Sequence, residues 1–199
     1  MAAIKLVAGY ATIGQGAGPM IVTERAGLFA KHGLDVKTRL MGGAKGVVKG
    51  LVQGEIQFGN LAAPALLRAV LEDGADFAEF GLNYALGGIA TRRETIREAP
   101  DIVRRFVAAY VEGMNRYRTD REFTVKVQRE YSGIADPSVA EETYDLTQPG
   151  MPAIPYPVAA ALEKALKVMA ADLPSASAAD PEQFIDDRFI RALAHSASV

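Results

Sequence analysis

The residues of this chain best suited to meeting a small molecule lie in short turns of glycine, asparagine and small side chains, each placed after an apolar run. Gly14-Gln15-Gly16-Ala17-Gly18 invites comparison with a dinucleotide fingerprint, which needs glycine at its first, third and sixth positions; the sixth here is Pro19, so the strict pattern fails. Asp35 falls near the place of a ribose-binding acid, but it enters the second strand instead of ending it. Gly42-Gly43-Ala44-Lys45 opens a helix, where free N–H groups and the positive end of the dipole suit a carboxylate, sulfonate or phosphate. Lys45 and Lys49 could add charge there, although their first reading is as solvated residues on an exposed helix face. Asn60-Leu61 and Asn83-Tyr84 supply two further turns, and Asn60 can either orient a ligand or close its own turn.

Composition removes several chemistries. With no cysteine there are no thiol nucleophiles, disulfides, iron–sulfur clusters or thiolate zinc sites. With only two histidines, His32 at a helix end and His195 near the chain end, a histidine-rich metal site or a histidine-based triad is poorly supported. Glu24, Asp35 and Asp76 have no visible partner that would tune a general base, and Glu24 reads as a solvated helix residue. No catalytic residue, metal or cofactor is therefore expected. Lys and Arg number 22 against 24 Asp and Glu, a net charge of −2, so no basic field draws the chain to nucleic acid. No apolar run approaches the roughly 20 residues needed to span a bilayer. The first residues carry no basic n-region, so any export signal is expected to have been removed or never to have existed.

The elements that must position these turns alternate in β-α order. Strands are predicted over 4–10, 34–41 and 55–60, with helices over 18–33 (Pro19 inside its start, Gly33 past its end), from Ala44 and from Ala63-Pro64. The alternation in Leu34-Asp35-Val36-Lys37-Thr38-Arg39-Leu40 suits a strand with one buried face near a sheet edge. Residues 77–82 and 86–91 read as the last strand region, interrupted by Asn83-Tyr84. From Glu94 the pattern is helix after helix, the longest carrying Phe106, Tyr110, Met114 and Tyr117 at helical spacing. Pro149, Pro152, Pro155 and Pro157 mark an extended crossing, 173–179 a loop, and Asp180-Pro181 the start of a final helix. The predicted fold is α/β: one three-layer lobe over 1–199, with a mostly parallel sheet in 1–93 and a C-terminal helical layer in 94–199. Open α/β sheets bind ligands outside the carboxyl ends of their strands, so the chain reads first as a small-molecule binder.

Longer stretches resemble a known family. The run Ile21-Val22-Thr23-Glu24-Arg25-Ala26-Gly27-Leu28-Phe29-Ala30-Lys31-His32-Gly33-Leu34-Asp35-Val36 is similar to a signature of type 2 periplasmic substrate-binding proteins, in the group of sulfonate, nitrate and thiamine-precursor binders of ABC importers. Gly50-Leu51-Val52-Gln53-Gly54-Glu55-Ile56-Gln57-Phe58-Gly59 resembles that family's helix-turn-strand segment. The segments 95–106 and 185–190 resemble the return from its second lobe and its closing helix. The resemblance spans nearly the whole chain with one departure: only residues 83–93 stand where a second lobe would be, so that lobe is expected to be missing.

What the resemblance implies is non-enzymatic capture of a small organic, anionic or aromatic solute, a periplasmic location and an ABC permease as partner. The candidate contacts from four strand ends are Tyr10, Thr12, Gly43, Ala44, Asn60, Leu61 and Asn83. A half-cleft leaves its ligand open to solvent, and exposed hinge strands would permit a homodimer. Two other readings stay open: an enzyme on the same fold acting on a small metabolite, and a degenerate or engineered lobe with only a structural or dimerisation role. The pyrimidine-forming branch of the fold depends on a cysteine-rich motif and is excluded by the absence of cysteine.

Overall fold

A computed structural model describes residues 3–14, 16–79 and 88–196. Five strands, β1 (Ile4–Tyr10), β2 (Leu34–Leu40), β3 (Phe58–Leu61), β4 (Phe77–Glu79) and β5 (Gly88–Arg92), form one sheet in the order β2-β1-β3-β5-β4. β1 pairs in parallel with β2 and β3, while β5 is antiparallel to both β3 and β4. Four strands therefore run one way and β5 alone returns, and the carboxyl ends of β1, β2, β3 and β4 share one edge. β2 is an edge strand, as its alternation predicts: Leu34 and Val36 are buried while Lys37 and Arg39 are exposed. At the far side β4 is flanked by a bridge from Glu79 to Ile185, and β5 is paired on both sides, so it offers no free edge.

Helices cover both faces. On one, α1 (Gly18–Arg25), α2 (Leu28–Lys31) and the long α6 (Pro100–Thr119) enclose a core with Leu6, Ala8, Val36, Phe58 and Ile89. Phe106 of α6 lies flat on Phe58, ring centroids 3.7 Å apart, with Phe29 stacked at 4.9 Å. Gly113 lets α6 approach α1, because a β-carbon there would collide with Thr23. On the opposite face α3 (Ala44–Val52), α4 (Ala63–Leu71) and α9 (Ala159–Met169) enclose Val47, Leu51, Ile56, Leu66, Leu67, Phe77 and Ala90. The remaining helices are α5 (Arg93–Glu98), α7 (Arg121–Ser132), α8 (Pro137–Thr147) and α10 (Arg188–Ser196). Asp120 and Asp136 cap α7 and α8 by accepting from Phe123 N–H and Ser138 N–H.

Several boundaries differ from the sequence reading. The helix expected over 18–33 is two, because Gly27 adopts a left-handed conformation (φ 69°) that ends one and starts the other; Gly33 terminates the second as expected. The third strand starts at Phe58, since Ile56 N–H is held by the Gly50 carbonyl. Residues 174–178 form a 3-10 turn instead of a plain loop. The Asp180-Pro181 start leads only to a second such turn, and the final helix begins at Arg188. Glu24 is not merely solvated: its carboxylate accepts hydrogen bonds from the backbone N–H (3.1 Å) and the hydroxyl of Thr38, tying α1 to β2. His32 caps α2 and pairs with Glu112 of α6 (2.9 Å).

Candidate functional site

The turns after β1, β2 and β3 are joined to one another by backbone hydrogen bonds. Met41 N–H donates to the Tyr10 carbonyl (2.9 Å), Gly43 N–H to the Ala11 carbonyl (2.7 Å) and Ala11 N–H to the Asn60 carbonyl (3.2 Å). The register agrees, since Tyr10 lies opposite Leu40 on one side and Asn60 on the other. Tyr10, Thr12, Gly43, Ala44, Asn60 and Leu61 thus come together along one edge of the sheet. Asn83 lies outside the described residues.

Their side chains are not equally available. Thr12 is exposed, with Ile13 and Leu40 presenting apolar surface beside it. Tyr10 is half-buried on the α1/α6 face, and burial, with Glu24 as a lesser contributor, pushes its hydroxyl pKa up. Asn60 is buried and its side-chain N–H group donates to the Gly88 carbonyl (3.4 Å), so the strand end itself uses one of its donors. The Leu61 side chain faces the α3/α4 core, leaving only its backbone to meet a ligand.

Of the helix starts on this edge, those of α1, α3 and α4, the first two differ. At α1 the segment 17–19 is buried; a β-carbon on Gly18 would stand 2.8 Å from the Tyr117 ring, and the Tyr131 hydroxyl donates to the Gly14 carbonyl (3.0 Å). The glycine-rich stretch, which already fails the strict dinucleotide pattern, therefore packs against Tyr117 at Gly18 and accepts from Tyr131 at Gly14. At α3 the start is open. Gly42 and Gly43 take positive φ (70° and 111°), which aims the chain into the helix without side chains in the way. The amides of Ala44 and Lys45 have no hydrogen-bond acceptor among the described residues. Neither Lys45 nor Lys49 makes an ion pair among those residues. From Ala44 and Pro64 a groove of about 1150 Å³ runs between α3 and α4 toward Asp76 and Arg97. A smaller one of about 770 Å³ lies away from this edge, between α7 and α8.

One residue of the rim escaped sequence reasoning. Glu79, the last residue of β4, is 5% exposed, and burial pushes its carboxyl up to about 8. The available signal was a lone charge in the apolar run Phe77-Ala78-Glu79. No group of three or more metal-ligating side chains occurs among the described residues.

No protein-family model matches the chain, and no curated protein does. Solved structures do match, and the fold is that of the periplasmic binding proteins. A protein from Bordetella bronchiseptica superimposes with a TM-score of 0.83 at 12% identity, covering 98% of each chain. The periplasmic nitrate-binding protein NrtA from Synechocystis gives 0.76 at 10% identity, over 98% of this chain and 89% of its own. The periplasmic aliphatic sulphonate binding protein SsuA from Escherichia coli gives 0.75 at 11%, over 94% of this chain and 99% of its own. At such identities the shared property is the fold. Among the described residues no helix is long and apolar enough to cross a membrane.

Proposed function

We propose that this chain is a non-enzymatic solute-binding protein that captures a small organic anion at the joined carboxyl ends of β1, β2 and β3. The observation that carries the reading is the set of three backbone bonds linking the turns at Tyr10, Ala11, Gly43 and Asn60 beside the uncovered amides of Ala44 and Lys45. An anion at such a helix start meets donors and dipole together, and Lys45 and Lys49, which make no ion pair among the described residues, add positive charge. The likeness in fold to nitrate- and sulphonate-binding proteins supports the same class of ligand, a periplasmic location and delivery to an ABC permease. In this reading residues 1–199 are one lobe, Thr12, Ile13 and Leu40 form an open half-cleft, and a second copy or another chain supplies the facing wall.

The test is isothermal titration calorimetry with nitrate, short alkanesulfonates, carboxylates and aminopyrimidines, alongside the oligomeric state by sedimentation. Saturable binding of an anion that weakens in the double variant Lys45→Gln, Lys49→Gln supports the reading. Heat-silent titrations across the whole set, with the protein folded, would overturn it.

A further inference from the structure

We propose that the Glu79 carboxyl is a further ligand contact of this rim, donating a hydrogen bond in its protonated form to an oxyanion oxygen beside β3, β5 and β4, so that the anion binds together with a proton. The inference rests on the solute-binding reading above and names a residue and a proton requirement that the reading lacks.

Its geometry follows from register. Glu79 lies opposite Ala90, which also lies opposite Gly59, placing the Glu79 backbone one step below Asn60. The side chain reaches upward. A β-carbon built on Gly88 would overlap the Glu79 carboxyl, and Gly88 lies opposite Leu61 at the rim. The carboxyl thus leans along the strand toward the edge where the turns meet, in space left free because residue 88 has no side chain. It occupies the α3/α4 face, since Phe77 and Ala90 of the same parity belong to that core. The open start of α3 is on that face too, and the Gly88 carbonyl accepts from the Asn60 amide.

Nothing described satisfies this carboxyl. It makes no hydrogen bond or ion pair among the described residues, and charged groups on the elements around it have other engagements. Arg92 pairs with Glu94, Arg93 with Asp76, Asp186 with Arg188 and Asp187 with Arg191, while Glu182 is exposed on its turn. From the backbone, Asp186 N–H donates to the Glu79 carbonyl, not to the carboxyl. A buried acid without a partner is costly unless neutral, and a neutral carboxyl is one of the few side chains that both survives burial and donates to an anion. An ionised Glu79 would repel the same ligand.

With the carboxyl titrating at about 8, its protonated share falls about tenfold between pH 6 and pH 9, and anion affinity falls with it. The experiment is calorimetry with ethanesulfonate, nitrate and acetate at about pH 6 and about pH 9, on the wild type and on Glu79→Gln, which keeps shape and a donor. The expected result is about tenfold weaker binding to the wild type at the higher pH and a much flatter profile for the variant. Binding of equal strength at both pH values, or the same fall in both proteins, overturns the role of Glu79 and leaves solute binding standing. Affinity for these anions that rises with pH overturns it as well. No binding at either pH removes the solute-binding reading and this inference together. A carbon-13 NMR titration of the wild-type carboxyls gives an answer that needs no variant: a saturating anion shifts the Glu79 titration upward, and an unmoved titration refutes the contact.

Discussion

Replacing Glu79 with glutamine tests the physical premise separately from any ligand. The carboxyl is raised from an ordinary 4.5 to about 8 by burial. For an acid with a raised folded-state value, the stabilising contribution is complete below the unfolded value and is lost as pH climbs through the folded one. Integrating the difference in bound protons gives a loss of about 4 kcal/mol between pH 5 and pH 9. Glutamine has nearly the same shape and no titration, so its own burial cost is independent of pH. The wild type and Glu79→Gln should therefore diverge steadily with pH, the variant gaining about 4 kcal/mol on the wild type by pH 9. For a chain of this size that corresponds to a difference in Tm of very roughly 10 °C. Urea unfolding followed by circular dichroism at closely spaced pH values measures it. Parallel stability curves would falsify the claim that burial raises this carboxyl.

Two further substitutions probe the scaffold. Gly43 has φ 111° and ψ 173°, a combination open only to glycine, whereas Gly42 at φ 70° sits where asparagine is tolerated. Gly43→Ala is expected to cost about 1–3 kcal/mol and to weaken anion binding, with Gly42→Asn close to neutral; thermal melts showing equal losses would contradict this. Phe106→Ala removes the ring stacked between Phe58 and Phe29 and is expected to cost about 3–5 kcal/mol, read from the urea midpoint at unchanged m-value.

Much of the architecture was legible because the local signals were strong. Alternation in Leu34–Leu40 marked both the strand and its edge position, and Pro19 marked the start of a helix. The misreadings share a cause. Gly27 ended a helix within an apolar period that continues on both sides, so periodicity alone concealed the break. Glu24 read as a solvated charge and Glu79 escaped reading because their environments come from neighbouring strands, Thr38 of β2 in one case and Gly88 of β5 in the other. The glycines of 14–18 invited comparison with a ligand loop, yet Gly18 makes room for the ring of Tyr117 and the Gly14 carbonyl accepts from the Tyr131 hydroxyl, both from the distant helical layer. Composition cannot distinguish a glycine that admits a ligand from one that admits a neighbouring ring.

That distinction narrows where a ligand can rest. The α1 start, on one face of the sheet, is closed by Tyr117 and Tyr131, whereas the α3 start, which shares the other face with that of α4, is open. Tyr10 and Asn60 face the closed side and Glu79 the open one, so the polar groups of the rim straddle the sheet. Glu79 ends β4 on the same face of the sheet as the open start of α3. The order β1-β3-β5-β4 places it there: inserting the antiparallel β5 brings Gly88 to the rim, and the absence of a side chain at that residue makes room for the carboxyl of β4. Proton-linked anion capture is thus a consequence of strand order and one glycine.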